Sequence, residues 1–250
     1  MQSMEIQQTS TPELAPKKNL RKFWVRIKNI IRKLIVLFLI ISVSWVVIDR
    51  FTPVWITPLM LIRSVQSLTN GEMPKNSKRW VPIKQISPNM VQAVIASEDN
   101  LFMTHHGFSF EDMWKAFRHN QKGKRIHGGS TISQQTAKNV FLFPARSYIR
   151  KAVEAYFTVL IELIWGKKRI MEVYLNTIEM GKGIYGVEAA SLEFYGIHAS
   201  ALSASQAAGI AACLPNPRRY KPNGSSSYIR NRKAHIINLM YKIQQVDFQK

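Results

Sequence analysis

The strongest hydrophobic pattern comes early. Leu34 to Ile48 reads LIVLFLIISVSWVVI, fifteen residues broken only by Ser42 and Ser44. A second apolar stretch, Phe51 to Ile62, follows the Asp49–Arg50 pair. Residues 64–86, with Pro74 and Pro82, predict a connecting stretch. From Ser87 the period becomes helical. Ser87-Pro88 is an N-cap followed by proline at the first helical position, and Val91, Val94 and Ile95 form an apolar stripe. Ser109 with Asp112 resembles a capping box for a further helix. Ser147 to Trp165 carries Val153, Phe157, Leu160, Ile161 and Ile164 at helical spacing. Ile170–Met180, Ser203 up to Pro215, and Tyr228–Ile243 complete the helices, with loops at Phe102–Phe108, Lys122–Gly129 and Gly181–Gly186. No alternating run reaches strand length and no internal repeat is visible, so the pattern predicts a mainly α fold.

Charge changes the reading of the N-terminus. Residues 17–33 hold eight basic residues and no acid, directly before the apolar run. Fifteen residues fall short of the roughly 20 that cross a hydrocarbon core of about 30 Å. Ile30 and Ile31 upstream, with snorkelling Arg32 and Lys33, lengthen the span. A cleaved signal peptide would want small residues where Asp49-Arg50-Phe51 stands, and a buried core helix leaves the basic flank unexplained. The reading is an uncleaved single-span anchor: a basic cytoplasmic tail over 1–33, a transmembrane segment over 34–56 and a domain over 66–244 on the outer side.

The whole chain has 35 Lys and Arg against 15 Asp and Glu, and from Ser64 onward 25 basic residues still face 12 acidic ones. The outer part therefore needs an anionic partner of its own. The single cysteine, Cys213, excludes an intrachain disulfide and a multi-cysteine zinc site.

Three segments carry candidate chemistry. Glu98 lies on the apolar face of its helix with Val91 and Val94, where partial desolvation raises a carboxyl pKa toward that of a general base; an ordinary helix-end acid reaching solvent is the alternative. After His127-Gly128-Gly129, the residues Ser130, Thr131, Gln134, Gln135 and Lys138 open a helix and run along one stripe, with Ile132, Ala137, Val140 and Phe141 opposite. A helix N-terminus behind glycines suits a phosphate or an oxygen-rich substrate; a solvated polar face is the alternative. The segment lacks the ending of a nucleotide P-loop, so ATP is not expected. Third, Lys138, Arg146, Arg150 and Lys151 can converge on a pyrophosphate, with Glu154 among them, although Arg150 and Glu154 also suit a surface ion pair. His105 and His106 have no metal-ligand spacing, so no metal site built from the protein is expected.

Together these segments resemble the peptidoglycan glycosyltransferases, glycosyltransferase family 51, and within it the monofunctional biosynthetic transglycosylases of Gram-negative bacteria. The match rests on Glu98-Asp-x-x-Phe-x-x-His-x-Gly107, Gly129-Ser-Thr-Ile-Ser-Gln-Gln-Thr-Ala-Lys-Asn139, Arg150-Lys-x-x-Glu154 and Lys168-Arg-Ile-Met-Glu-Val-Tyr-Leu-Asn176. The loop from Gly181 to Ala190 continues the last of these. The resemblance covers roughly Gln66 to Gln244. Ser133 replaces a frequent threonine and keeps the hydroxyl; Val153 stands where some relatives carry a lysine.

The resemblance implies a lysozyme-like α fold after the anchor, placed outside the inner membrane. It implies polymerisation of lipid II into β-1,4-linked glycan strands with inversion at the anomeric carbon. Glu98 would be the base. Glu154, Lys138, Arg146, Arg150 and Lys151 would serve the departing pyrophosphate, and Ser130, Thr131, Gln134 and Gln135 would bind sugar and phosphate oxygens. Asp99, His105 and Gly107 would shape the loop beside Glu98. Implied partners are lipid II, the nascent strand and membrane lipid, with other cell-wall synthesis proteins as candidates and nucleic acid excluded. No cofactor is built in, while a divalent cation (Mg2+ or Mn2+) can accompany the pyrophosphate. The chain ends too early for a transpeptidase domain, and without Ser-x-x-Lys or Lys-Thr-Gly no acyl-serine chemistry is expected. A glycan-cleaving enzyme of similar shape and a tethered binder of anions remain as alternatives.

Overall fold

The computed structural model describes residues 17–111, Trp114, Arg118, 129–145 and 147–249. The expected cap residue Asp112 and most of the expected loop at 122–129 lie outside them. Two compact units divide the chain, residues 1–45 and 46–250.

The first unit holds most of α1 (Lys17–Phe51), an unbroken helix. Within its Lys22–Phe51 part the most apolar 18-residue window has a mean hydropathy of 2.4. At 1.5 Å per residue these 30 residues extend about 45 Å, enough by length and composition to cross a bilayer with its flanking turns. The helix thus outruns its fifteen-residue apolar run, because the basic stretch upstream, as far as Lys17, is also helical.

The second unit begins with the last turn of α1. Here Trp165 donates its indole N–H to Val46 O at 2.7 Å, and the Arg169 guanidinium reaches Asp49 O at 2.7 Å and Thr52 O. α2 (Pro58–Thr69) follows, started by Thr57, whose hydroxyl accepts from Met60 N, and by Pro58. The first part of the connecting stretch expected over 64–86 is therefore helical: cap and proline open a helix that runs on to Thr69. Met60 is buried while Leu61, Val65 and Leu68 are exposed.

α3 (Pro88–Glu98) starts as expected, with Ser87 Oγ accepting from Asn89 N. It packs against α8 (Ala204–Cys213) and α9 (Ser227–Lys242). α8 presents Ala207, Ala208, Ala211 and Ala212, all fully buried, and so lets its neighbours approach closely. α4 (Ile132–Phe141) lies against α5 (Tyr148–Ile164) and α6 (Gly166–Thr177). Phe141 stacks on Phe157 with ring centroids 4.5 Å apart, locking α4 to α5. α7 (Val187–Tyr195), which the periodicity did not predict, is nine residues long and mostly buried, so it shows little polar alternation.

The fold is mainly α, but the expected loop at Gly181–Gly186 is part of a small sheet. β1 (Ser77–Lys78) pairs parallel to β3 (Ile184–Tyr185), which pairs antiparallel to β2 (Glu179–Gly181). Strands of two or three residues are too short to show a period. Gly183 makes the sheet feasible: it sits at φ +70°, and a Cβ there would lie 2.2 Å from Lys75 O.

Candidate active site

Glu98 is the last residue of α3. Its side chain is 14% exposed. Gln135 Nε2 donates to Oε2 at 3.1 Å, and Arg232 Nη2 from α9 stands 3.8 Å from Oε1. That Oε1 is buried and accepts no hydrogen bond. Burial raises the Glu98 pKa, and neighbouring Asp99 adds to the rise; Gln135, Arg232 and Lys138 offset part of it. The side chain is not a solvated helix-end acid, and the Arg232 guanidinium faces it without closing a hydrogen bond.

The next carboxylate has a different task. Asp99 is 5% exposed. Its Oδ2 accepts from Ile132 N at 2.9 Å, in the first turn of α4. His105 Nε2 lies 3.0 and 2.9 Å from its two oxygens, and His105 Nδ1 accepts from Gly107 N at 3.0 Å. An acceptor role for Nδ1 assigns the proton to Nε2, which donates to Asp99. Gly107 O in turn accepts from Thr131 Oγ1 at 2.7 Å. Gly107 sits at φ +90°, and an added Cβ would meet Thr158 Cγ2 at 2.9 Å. Asp99, His105, Gly107 and Thr131 thus tie the end of α3 to the start of α4.

The polar stripe on α4 divides by burial. Thr131 and Gln134 are each 3% exposed and form a reciprocal capping box. Their side chains are used at the helix start. Ser130 and Gln135 are half-buried. Gln135 also touches Ser130 O at 3.4 Å and accepts from the Tyr174 hydroxyl at 3.4 Å. One turn further, Lys138 is partly buried, and burial lowers its pKa.

α5 supplies the remaining charges. Glu154 is 2% exposed, and its two oxygens accept separately from Arg150 Nη1 at 2.6 Å and Lys151 Nζ at 2.5 Å. Among described residues, no three His, Cys, Asp or Glu side chains gather into a metal cage. Glu154 is placed to hold two cations. Lys138 feels the charges of Glu154, Arg150, Lys151 and Glu98 together. Lys138 and Arg150 line a cleft of about 340 Å³ with Leu59, Asn139, Leu142, Pro144 and Ala145. Arg146 lies outside the described residues.

Three contributors escaped the sequence reading. Tyr174 is 1% exposed, and its hydroxyl fixes Gln135; burial pushes its pKa well up. Arg232 faces Glu98 from α9. Glu162 accepts from Ser133 Oγ and from Lys167 Nζ, whose ammonium lies 4.7 Å from the Phe102 ring centroid. The Lys168–Asn176 motif contained Tyr174, but nothing local pointed its hydroxyl at α4.

The arrangement offers one buried carboxylate with a raised pKa, an amide that orients it, and a separate cationic nest beyond Lys138. It can accept a proton at one end and stabilise an anionic leaving group at the other. A family model described as Transglycosylase matches residues 65–241. The chain is 52% identical over 209 residues to a biosynthetic peptidoglycan transglycosylase of Bacteroides thetaiotaomicron, covering 84% of each chain. It is 48% identical over 219 residues to one of Bdellovibrio bacteriovorus, covering 88% of each. A third, from Pasteurella multocida, is 47% identical over 87% of this chain and 89% of the relative.

Proposed function

The chain belongs to the transglycosylase family, and on that premise we propose that it polymerises lipid II into linear glycan strands at the outer face of the inner membrane. It is a peptidoglycan glycosyltransferase. The growing strand is the donor, linked through its anomeric carbon to undecaprenyl pyrophosphate. The acceptor is the 4-hydroxyl of the terminal N-acetylglucosamine of lipid II.

Glu98 takes the proton from the acceptor hydroxyl as its oxygen attacks the anomeric carbon. The bond to pyrophosphate breaks, the centre inverts from α to β, and a β-1,4 bond forms. Lys138, Arg150 and Lys151 stabilise the departing diphosphate, joined by Arg146. Glu154 acts through the two cations it holds. Ser130 and Gln135 meet substrate oxygens; Thr131 and Gln134 act indirectly, by fixing the helix start. Asp99 and His105 position that start beside Glu98. A divalent cation, Mg2+ or Mn2+, would supply further charge neutralisation to the leaving diphosphate, held by the substrate and not by a protein cage.

One observation carries this reading: α4 presents Gln135, bonded to Glu98, and three residues on Lys138, which lines a cleft with Arg150, itself held with Lys151 on Glu154. A glycan-cleaving enzyme needs a raised-pKa acid but no such nest. The test is polymer formation from lipid II by the full chain in detergent. The parent forms polymer, and Glu98→Gln loses roughly 10²–10⁴ of the rate. Polymerisation at the parental rate in that variant, or only fragmentation of preformed glycan by the parent, overturns the proposal.

α1 anchors the enzyme with its basic end in the cytoplasm. A lipid-linked substrate is thereby met in two dimensions, with the exposed apolar side chains of Phe51 to Ile62 in the interface. The cationic outer domain favours anionic headgroups.

A further inference from the structure

α2 borders two cavities. Leu59 lines the cleft of Lys138 and Arg150, whereas Arg63 to Thr69 line a second one of about 390 Å³. From Leu59, Arg63 is four residues on and Thr69 ten. Along the helix the cavities are thus roughly 6 to 15 Å apart.

The second cavity is cationic: Arg63, Lys75, Lys182 and Arg218 face Glu72 and Glu179. Lys182 pairs with Glu72 at 2.9 Å and Lys75 with Glu193 at 2.7 Å, whereas Arg63 and Arg218 are not closed into hydrogen-bonded pairs with Glu179. The Nε atoms of Arg63 and Arg218 stand 3.6 and 3.8 Å from the Glu179 carboxylate. Arg63 Nε is buried without a hydrogen bond, and so is the hydroxyl of Tyr185, which pairs with Glu179 across the β2–β3 ladder. A buried guanidinium Nε without an acceptor, and two guanidinium groups that share one carboxylate, call for a ligand rich in acceptors. Two guanidinium groups favour a planar carboxylate, which each can grip with paired N–H groups.

Resting on the proposed polymerisation, the geometry points to the Arg63–Lys182–Arg218 cavity as a binding site for a carboxylate of the peptide stem on the glycan substrate. The substrate is then held by its peptide as well as by its pyrophosphate. Glu179 competes with that carboxylate for the same two guanidinium groups.

The test is calorimetric titration of the full chain in detergent with a soluble acidic muramyl peptide lacking lipid and pyrophosphate. The parent binds it, and the same peptide with amidated carboxyls binds about tenfold more weakly. Arg218→Ala weakens binding about tenfold and Glu179→Gln tightens it. Lys182→Ala, at a more exposed site, weakens it too and serves if Arg218→Ala fails to fold. Glu98→Gln leaves binding unchanged. Equal binding of the amidated peptide, binding of inorganic phosphate but not of peptide, or shifts of the same sign in Arg218→Ala and Glu179→Gln each overturn the site. Failure of peptide binding in a protein that polymerises lipid II rejects this site alone. Peptide binding in a protein that makes no polymer rejects the polymerisation reading alone.

Discussion

Burial and hydrogen bonding pull Glu98 in opposite directions, and burial is the larger effect. The carboxyl therefore holds its proton above the ordinary value of 4.5. A base must be deprotonated to act, so kcat/KM for polymerisation rises with pH through this raised pKa. Gln135 is the strongest of the partners that lower it. Gln135→Leu moves the acid limb of the kcat/KM profile upward, and an unmoved limb would separate that limb from Glu98. Stability runs the other way. A carboxyl whose folded pKa is raised stabilises the fold below its unfolded pKa and loses that contribution as pH rises through the folded value. At neutral pH Glu98→Gln accordingly melts no lower than the parent while losing activity, which distinguishes a catalytic defect from an unfolded protein.

At the scale of elements, α4 connects the two halves of the chemistry, and its first turn is fixed by the Asp99 carboxylate. Asp99 receives two donors, Ile132 N–H and His105 Nε2–H. An asparagine offers one oxygen and turns its amide toward the second donor. Asp99→Asn costs about 1–3 kcal/mol in a denaturant titration and displaces Gln135 from Glu98, lowering kcat/KM as well. Unchanged stability would show that the α3–α4 tie is not made this way. Much of this element layout was readable in the chain. Ser87-Pro88, Ser147 and Ser203 each announced a helix by cap chemistry that depends only on neighbouring residues. The candidates Glu98, Lys138 and Arg150 were readable as well, because the motifs that carry them lie in order along the chain. The split along α4 was not: Thr131, Gln134, Gln135 and Lys138 share helical spacing, and only burial reveals that the first pair caps the helix. Arg232 and Tyr174 reach the site by tertiary packing, which local periodicity does not encode. The two-residue strands and buried α7 carry too little alternation to be seen.

At the scale of the whole molecule, the charge asymmetry around α1 sets a topology that can be read chemically. Positive residues resist transfer across a membrane, so the proposed topology keeps the tail before Leu34 in the cytoplasm and puts the domain after α1 outside. The only native thiol gives a quiet background. Cys213 is 1% exposed, and burial pushes its pKa up to about 12, so little thiolate is available to react. Ser225 is exposed in the outer domain, and Gln8 belongs to the tail. In intact spheroplasts a membrane-impermeant maleimide labels Ser225→Cys and spares Gln8→Cys until the membrane is permeabilised. The reverse pattern would invert the topology and deny the site access to substrate on the outer face. Intact mass resolves the remaining alternative. An anchor leaves residues 1–33 on the membrane-bound chain, whereas cleavage after the apolar run would shorten the chain and release the domain. Retention matters to the proposed polymerisation, because a lipid-linked donor and a lipid-linked acceptor would meet in the plane of the bilayer, where only an enzyme held in that plane encounters both.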